Sequence, residues 1–186
     1  MSSCMVRRLR ALLWLAVSTA PLQGATLERL SLDDMIDKST QIVRARVSGS
    51  YSAFSGDLIY THYRLQVSER WKGPEQASLE VLVPGGAAAG RRQTFSGAPQ
   101  LQTGKEYVFF LWAGKSGENQ VIGLTQGLFQ ITAGRSGQNA VAYRPATMEI
   151  MLDPQTGQIV RDDELRLPLA TLTSRIRTQI RRGEAK

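Results

Sequence analysis

The stretch from Tyr60 to Val83, YTHYRLQVSERWKGPEQASLEVLV, constrains the fold more than any other. Ile59, Thr61, Tyr63, Leu65 and Val67 fall on one face and Tyr60, His62, Arg64, Gln66 and Ser68 on the other, the period of two of a half-buried strand. Trp71-Lys72-Gly73-Pro74 interrupts the alternation with turn formers, and Leu79, Val81 and Val83 resume it. This predicts a β-hairpin with a long first arm. Trp71 keeps the parity of the apolar face and is predicted to fold over the end of the core as a plug. The competing reading makes it an exposed aromatic anchor for a partner.

Other segments are also predominantly strand-like. QIVRARV alternates Val43, Ala45 and Val47 against Arg44 and Arg46, so it is a first strand with its arginines on the wetter face. Ser48 to Asp57, rich in Ser and Gly, is expected to be the loop into the central hairpin. KEYVFFLW carries apolar side chains on both parities, Tyr107, Phe109 and Leu111 against Val108, Phe110 and Trp112. A strand of that kind is covered on both sides and therefore central. NQVIGLTQGLFQIT gives two short strands broken at Thr125-Gln126-Gly127, with Phe129 and Ile131 on one face. Ala133 to Asn139 is a predicted loop. AVAYRPATMEIML and GQIVRDD give a last ribbon, turned through Asp153 to Gly157.

Two helices complete the pattern. Ser31 is placed to cap a helix of about two turns, with Asp34 three residues on as the capping-box partner and Leu30 as a staple onto Met35. Asp33 and Asp34 are read as helix-start acids rather than metal ligands, because adjacent helical residues point apart. At the C-terminus Leu169, Leu172, Ile176 and Ile180 form one apolar stripe after Pro168, with Arg175, Arg177, Arg181 and Arg182 lying away from it. The stripe is expected to pack onto the domain. The competing reading is contact of this basic amphipathic helix with an anionic membrane surface.

Residues 1–25 read as an export signal: Arg7, Arg8 and Arg10 precede the apolar run Ala11 to Ala20, which is too short to span a bilayer. Cleavage is expected near Gly24 or Ala25, giving a periplasmic or extracellular protein. The only cysteine, Cys4, would leave with the signal, so the mature chain has no disulfide, thiolate metal site or cysteine nucleophile. The net charge of +7 resides at the ends. Residues 1–25 supply three arginines and no acid, residues 171–186 supply five basic residues and one acid, and residues 26–170 balance. The high isoelectric point is therefore no argument for a nucleic-acid partner.

Catalytic and ligand-binding signatures are sparse. His62 is the only histidine, mid-strand and in no recognised motif; HExxH, GxSxG and SxxK do not occur. A small hydrolase using His62 with a serine is kept as an alternative, and a non-enzyme is expected. No cofactor or metal is predicted. The acidic group Asp153, Asp162, Asp163 and Glu164 lacks calcium-loop spacing and is read as a solvated turn. Pro84 to Gly104 combines glycines with Arg91 and Arg92, but the spacing fits neither a Walker loop nor a dinucleotide fingerprint, so it is read as a glycine-rich crossover. A loop of that length inside a domain is a place for function.

The order of the segments DKSTQIVRARV, YTHYRLQVSERWKG, a valine-rich strand, a glycine-rich crossover and LQTGKEYVFFLW resembles a class of secreted bacterial proteins without assigned function. It also resembles the OB-type barrel of the tissue inhibitors of metalloproteinases and netrin-like modules. The matched segments run from Asp37 to Trp112. The resemblance implies a closed β-barrel with a protein-binding surface and raises metalloproteinase inhibition as a hypothesis. Taken with the residue pattern, the expected fold is a five- or six-stranded OB-like β-barrel with a short N-terminal helix, a C-terminal β ribbon and a C-terminal amphipathic helix, and the expected partner is an unidentified protein, a protease among the candidates. The inhibitors place an N-terminal cysteine on the catalytic zinc, and the mature chain here has none, so that mechanism does not carry over. The domain is drawn at residues 26–166 with the basic helix at 167–186. The expected binding surface comprises Ser48 to Asp57 and Pro84 to Gly104, with Arg91, Arg92, Phe95 and Trp71 as candidate contacts.

Overall fold

The computed structural model describes residues 26–114, 117–133 and 139–185. Residues 1–25, expected to be an export signal, and most of the loop expected between Ala133 and Asn139 lie outside the described residues. The chain is mainly β, with a large sheet and a C-terminal helix.

The large sheet is organised about β7 (Glu106–Ala113), whose two apolar parities separate two cores as the sequence predicts. Tyr107, Phe109 and Leu111 enter a cluster with Val43, Ala45 and Val47 of β2 (Gln41–Ser55), Leu65 of β3 (Leu58–Lys72) and Leu79, Val81 and Val83 of β4 (Ser78–Pro84). Val108 and Phe110 face the other way, into a cluster closed by both helices. Trp112, at the end of this strand, is exposed rather than core.

Strand order in the sheet is β13 (Leu165–Pro168), β10 (Val141–Arg144), β9 (Leu128–Thr132), β7, β2, β3, β4 and β8 (Asn119–Val121), and β8 also pairs with β7. β8 is antiparallel to β7 through Leu111↔Val121 and parallel to β4 through Val81↔Asn119. The side of the sheet beyond β7 is built from β9, β10 and β13. A second sheet joins β1 (Thr26–Glu28), parallel, to the ribbon of β11 (Ile150–Leu152) and β12 (Ile159–Val160). Asp153 Oδ1 accepts from the Gln155 and Thr156 amides in the turn of that ribbon, where an Asp was expected to serve.

α1 (Leu32–Lys38) starts as predicted: the Asp34 amide donates to Ser31 Oγ at 3.1 Å and the Ser31 amide donates to Asp34 Oδ2 at 3.0 Å. α2 (Leu169–Glu184) buries Leu169, Leu172 and Ile176 against Met35 and Ile36 of α1 and the outer face of β7. Three of the four stripe residues are thus consumed within the fold, and Ile180 is half-buried. Among the described residues no helix is long and apolar enough to cross a membrane. The boundary drawn at 166/167 falls inside β13, and α2 shares the core of the strands before it.

Several expectations need correction. Ser48 to Ser55 is strand, not loop: β2 runs unbroken to Ser55, and only Gly56 and Asp57 turn the chain into β3. The crossover after β4 carries its own ribbon, β5 (Gly86–Ala88) paired with β6 (Arg91–Gln93). Trp71 does not follow the parity of Val67. The β2/β3 register passes over Ser68 as an extra residue, which inverts the parity between Val67 and Trp71, and Trp71, itself a second extra residue, packs half-buried against the cluster beneath α2. Asp162 is not solvated. Its carboxylate meets Arg144 at 2.6 and 2.9 Å, with side chains 3% and 5% exposed respectively.

Candidate functional site

The two segments expected to bind are brought together at one end of the molecule. β7 pairs with β2 only from Gln41 to Arg46, and the rest of the β2–β3 hairpin projects past it. Gly56, at φ +60°, opens the two-residue turn, the position where such hairpins favour glycine. The β5–β6 ribbon folds over the face of the arm that carries Ser52 and Thr61. Gly86 makes this approach feasible, since a Cβ there would lie 2.5 Å from Ser52 Oγ and 2.6 Å from Thr61 Oγ1.

Hydrogen bonds fix the ribbon in place. Gln93 accepts from the Ile59 amide at 2.6 Å through Oε1 and donates to the Asp57 carbonyl at 3.1 Å through Nε2. Thr61 Oγ1 donates to the Gly85 carbonyl at 2.7 Å, and the Gly85 amide donates to the Ile59 carbonyl at 2.8 Å. One glutamine thus closes the hairpin tip onto the ribbon.

This end presents apolar and cationic side chains together. Tyr51, Phe54, Leu58 and Phe95 are 42%, 38%, 40% and 38% exposed, a concentration of large apolar groups that the alternating strand pattern alone does not require. Arg91 lies over the Phe54 ring at 5.4 Å, and Arg64 lies over Tyr51 at the same distance on the opposite face. Arg92 and Phe95 line one cleft with Thr61, Tyr63 and Pro84. The cleft encloses about 260 Å³, a size suited to a partner's side chain rather than to a cofactor. Among the described residues Arg64, Arg91 and Arg92 form no ion pair.

Of the four candidate contacts, Arg91, Arg92 and Phe95 therefore share this end, and Trp71 does not. Trp71 borders a larger groove, about 940 Å³, beside Leu169, Ile180, Arg177 and Arg181 of α2. Its indole N–H donates to Glu69 at 3.0 Å, and Arg177 also reaches Glu69 at 3.0 Å, so the polar groups nearest the indole satisfy one another. Sequence reasoning places Tyr51 and Phe54 inside the expected surface segment Ser48 to Asp57 without singling them out, because it takes that segment for loop, and it does not reach Leu58 and Arg64 in the strand beyond. The signal that could have found them is Gly56-Asp57, a two-residue hairpin turn between two runs of alternating residues.

His62 sits on the other face of the same arm. Its Nδ1 is 2.7 Å from Glu80 Oε1, its ring stacks on Tyr51 with centroids 4.6 Å apart and planes 12° apart, and Tyr51 Oη donates to Glu80 at 3.2 Å. Loss of solvent around the phenol, then the nearby Glu80 charge, push Tyr51 above the usual tyrosine range. The group is a cross-strand cluster that stiffens the arm. The bonded partner of His62 is a carboxylate, and among the described residues no group of histidine, cysteine and acidic side chains is placed to hold a metal. Comparison with protein-family models and with curated proteins finds no match.

Proposed function

We propose that this chain is an exported, non-catalytic protein-binding module whose contact face is the end formed by the β2–β3 hairpin and the β5–β6 ribbon. The observation that carries the reading is the gathering of Phe54, Leu58, Phe95, Arg91 and Arg92 from segments more than 30 residues apart, held by Gln93. Aromatic and arginine side chains in one partly apolar patch are the composition of binding hot spots.

The scaffold in this proposal is an OB-like closed barrel of β2, β3, β4, β8 and β7. Its support is the double pairing of β8, which returns from β4 to β7 and so links both ends of that strand series. The resemblance to metalloproteinase inhibitors makes a protease the first partner class to try, acting by a mode that needs no cysteine. Export rests on the sequence of residues 1–25.

Affinity capture from cell envelope and medium tests the reading, with the parent protein beside Arg91→Ala/Arg92→Ala/Phe95→Ala. A protein retained by the parent and lost by the triple variant, about 2 kcal/mol or more of binding energy for a hot-spot cluster, is the expected result. Capture that is equal for both proteins would remove the assignment of this face.

A further inference from the structure

The distal half of β2 is an open sheet edge. The β2–β7 ladder ends at Arg46↔Glu106 and is extended only by the Val47 amide to the Lys105 carbonyl at 3.0 Å and the Gly104 amide to the Val47 carbonyl at 2.8 Å. From Gly49 onward β3 is the sole ladder partner of β2 among the described residues. Ser55↔Leu58 closes the two-residue turn, so Tyr51, Ala53 and Ser55 exchange backbone bonds with β3, while Ser50, Ser52 and Phe54 direct their N–H and C=O groups to the opposite edge. A Cβ at Gly49 would meet nothing within 4 Å, so the face of the strand is open there as well. The β5–β6 ribbon covers one face of the arm, at Ser52 and Thr61, rather than extending the ladder.

Proteins blunt such edges with charge, proline or a bulge; β2 has a register shift at Val47/Gly49, before the edge, and Gly49 to Ser55, GSYSAFS, contains no charged residue, no proline and no further shift. Charge instead flanks the edge. Arg64 over Tyr51 lies on one face and Arg91 over Phe54 on the other, and neither is in an ion pair among the described residues. Successive side chains of an added strand point alternately to those two faces, so acidic residues on either parity would meet a guanidinium.

We infer that an extended acidic segment of a partner protein adds to β2 as a further strand, with Ser50, Ser52 and Phe54 supplying the backbone hydrogen bonds and Arg64 and Arg91 selecting the charge. This rests on the protein-binding reading and names the mode of binding.

The test uses the intact protein and a fluorescent peptide of about seven residues alternating valine and glutamate, a length matched to the free edge from Gly49 to Ser55. Binding is expected, weakened about tenfold when lysine replaces glutamate. N-methylation of alternate peptide amides is expected to abolish binding in one parity and spare it in the other, because only one set of amides faces β2. Ser50→Pro removes an outward N–H that the fold does not use and is expected to weaken binding about tenfold. Should that variant fail to fold, the N-methyl parity decides alone. Equal binding by both methylated parities, equal binding by a folded Ser50→Pro, or a dimer of the parent paired through this edge would overturn the inference. Absence of peptide binding while capture still depends on Arg91, Arg92 and Phe95 would overturn the strand-addition mode and leave the contact face standing. Loss of that dependence as well would remove both.

Discussion

Phe109→Ala and Phe110→Ala are each expected to lower stability by about 3–5 kcal/mol, measured as a shift of the urea midpoint at constant slope. The two side chains are neighbours in sequence and both fully buried, yet they occupy different cores. Phe109 packs against Tyr107 with ring centroids 5.7 Å apart, inside the face made by β2, β3 and β4. Phe110 packs against Phe129 at the same separation, beneath α1 and α2. Truncation removes apolar contact and leaves a cavity that the surrounding strands only partly close. Trp112→Ala, on the same strand but exposed, is expected to stay within about 1 kcal/mol. A large loss at only one of the two phenylalanines would mean that β7 is covered on one side.

Asp162→Ala is expected to cost about 3–5 kcal/mol, because it strands the Arg144 guanidinium in the interior. Arg144 also donates to the Asp163 carbonyl at 3.0 Å, and Asp162 accepts from the Thr147 amide at 2.9 Å, so the pair ties β10 to the segment between β12 and β13. Among the described residues Arg144 Nε is buried without a partner, which makes the arrangement costly to assemble. Replacing both residues, Arg144→Met with Asp162→Leu, is accordingly expected to recover most of the loss.

Burial pushes the Asp162 carboxyl up, but hydrogen bonds from Arg144 and Thr147 outweigh it and hold the group below the usual range. Its stabilising contribution is therefore fully present above the unfolded value of about 3.9 and lost as pH falls through the lower folded value. Glu106 has the same sign, with burial opposed by Arg44 and Ser68. Stability of the parent should fall steeply on the acid side, and that of Asp162→Ala less steeply.

How much of this was legible in the sequence depended on whether a local signal survived the tertiary context. The two-sided burial of β7 was readable, because alternating parities that are both apolar leave a strand no wet face. The capping box of α1 and the stripe of α2 were readable because both are local. Ser48–Ser55 was misread because small polar residues in an arm paired on one side look like loop, although their backbone is strand. Trp71 was misplaced because parity is a reliable guide only between bulges. Asp162 read as solvated because its partner, Arg144, is 18 residues away and nothing in its own neighbourhood announces the pairing. For the proposed contact face, the sequence singles out Arg91, Arg92 and Phe95, whereas Gln93, which joins their ribbon to the hairpin, carries no sequence signal beyond its polarity.

The most direct test of the contact face is hydrogen exchange on the intact protein, alone and with the partner obtained by capture. The account predicts added protection at Ser50–Leu58 and Gly86–Phe95, with little change in α2. Protection concentrated instead at Trp71 and Arg177–Arg182, along the larger groove, would contradict it.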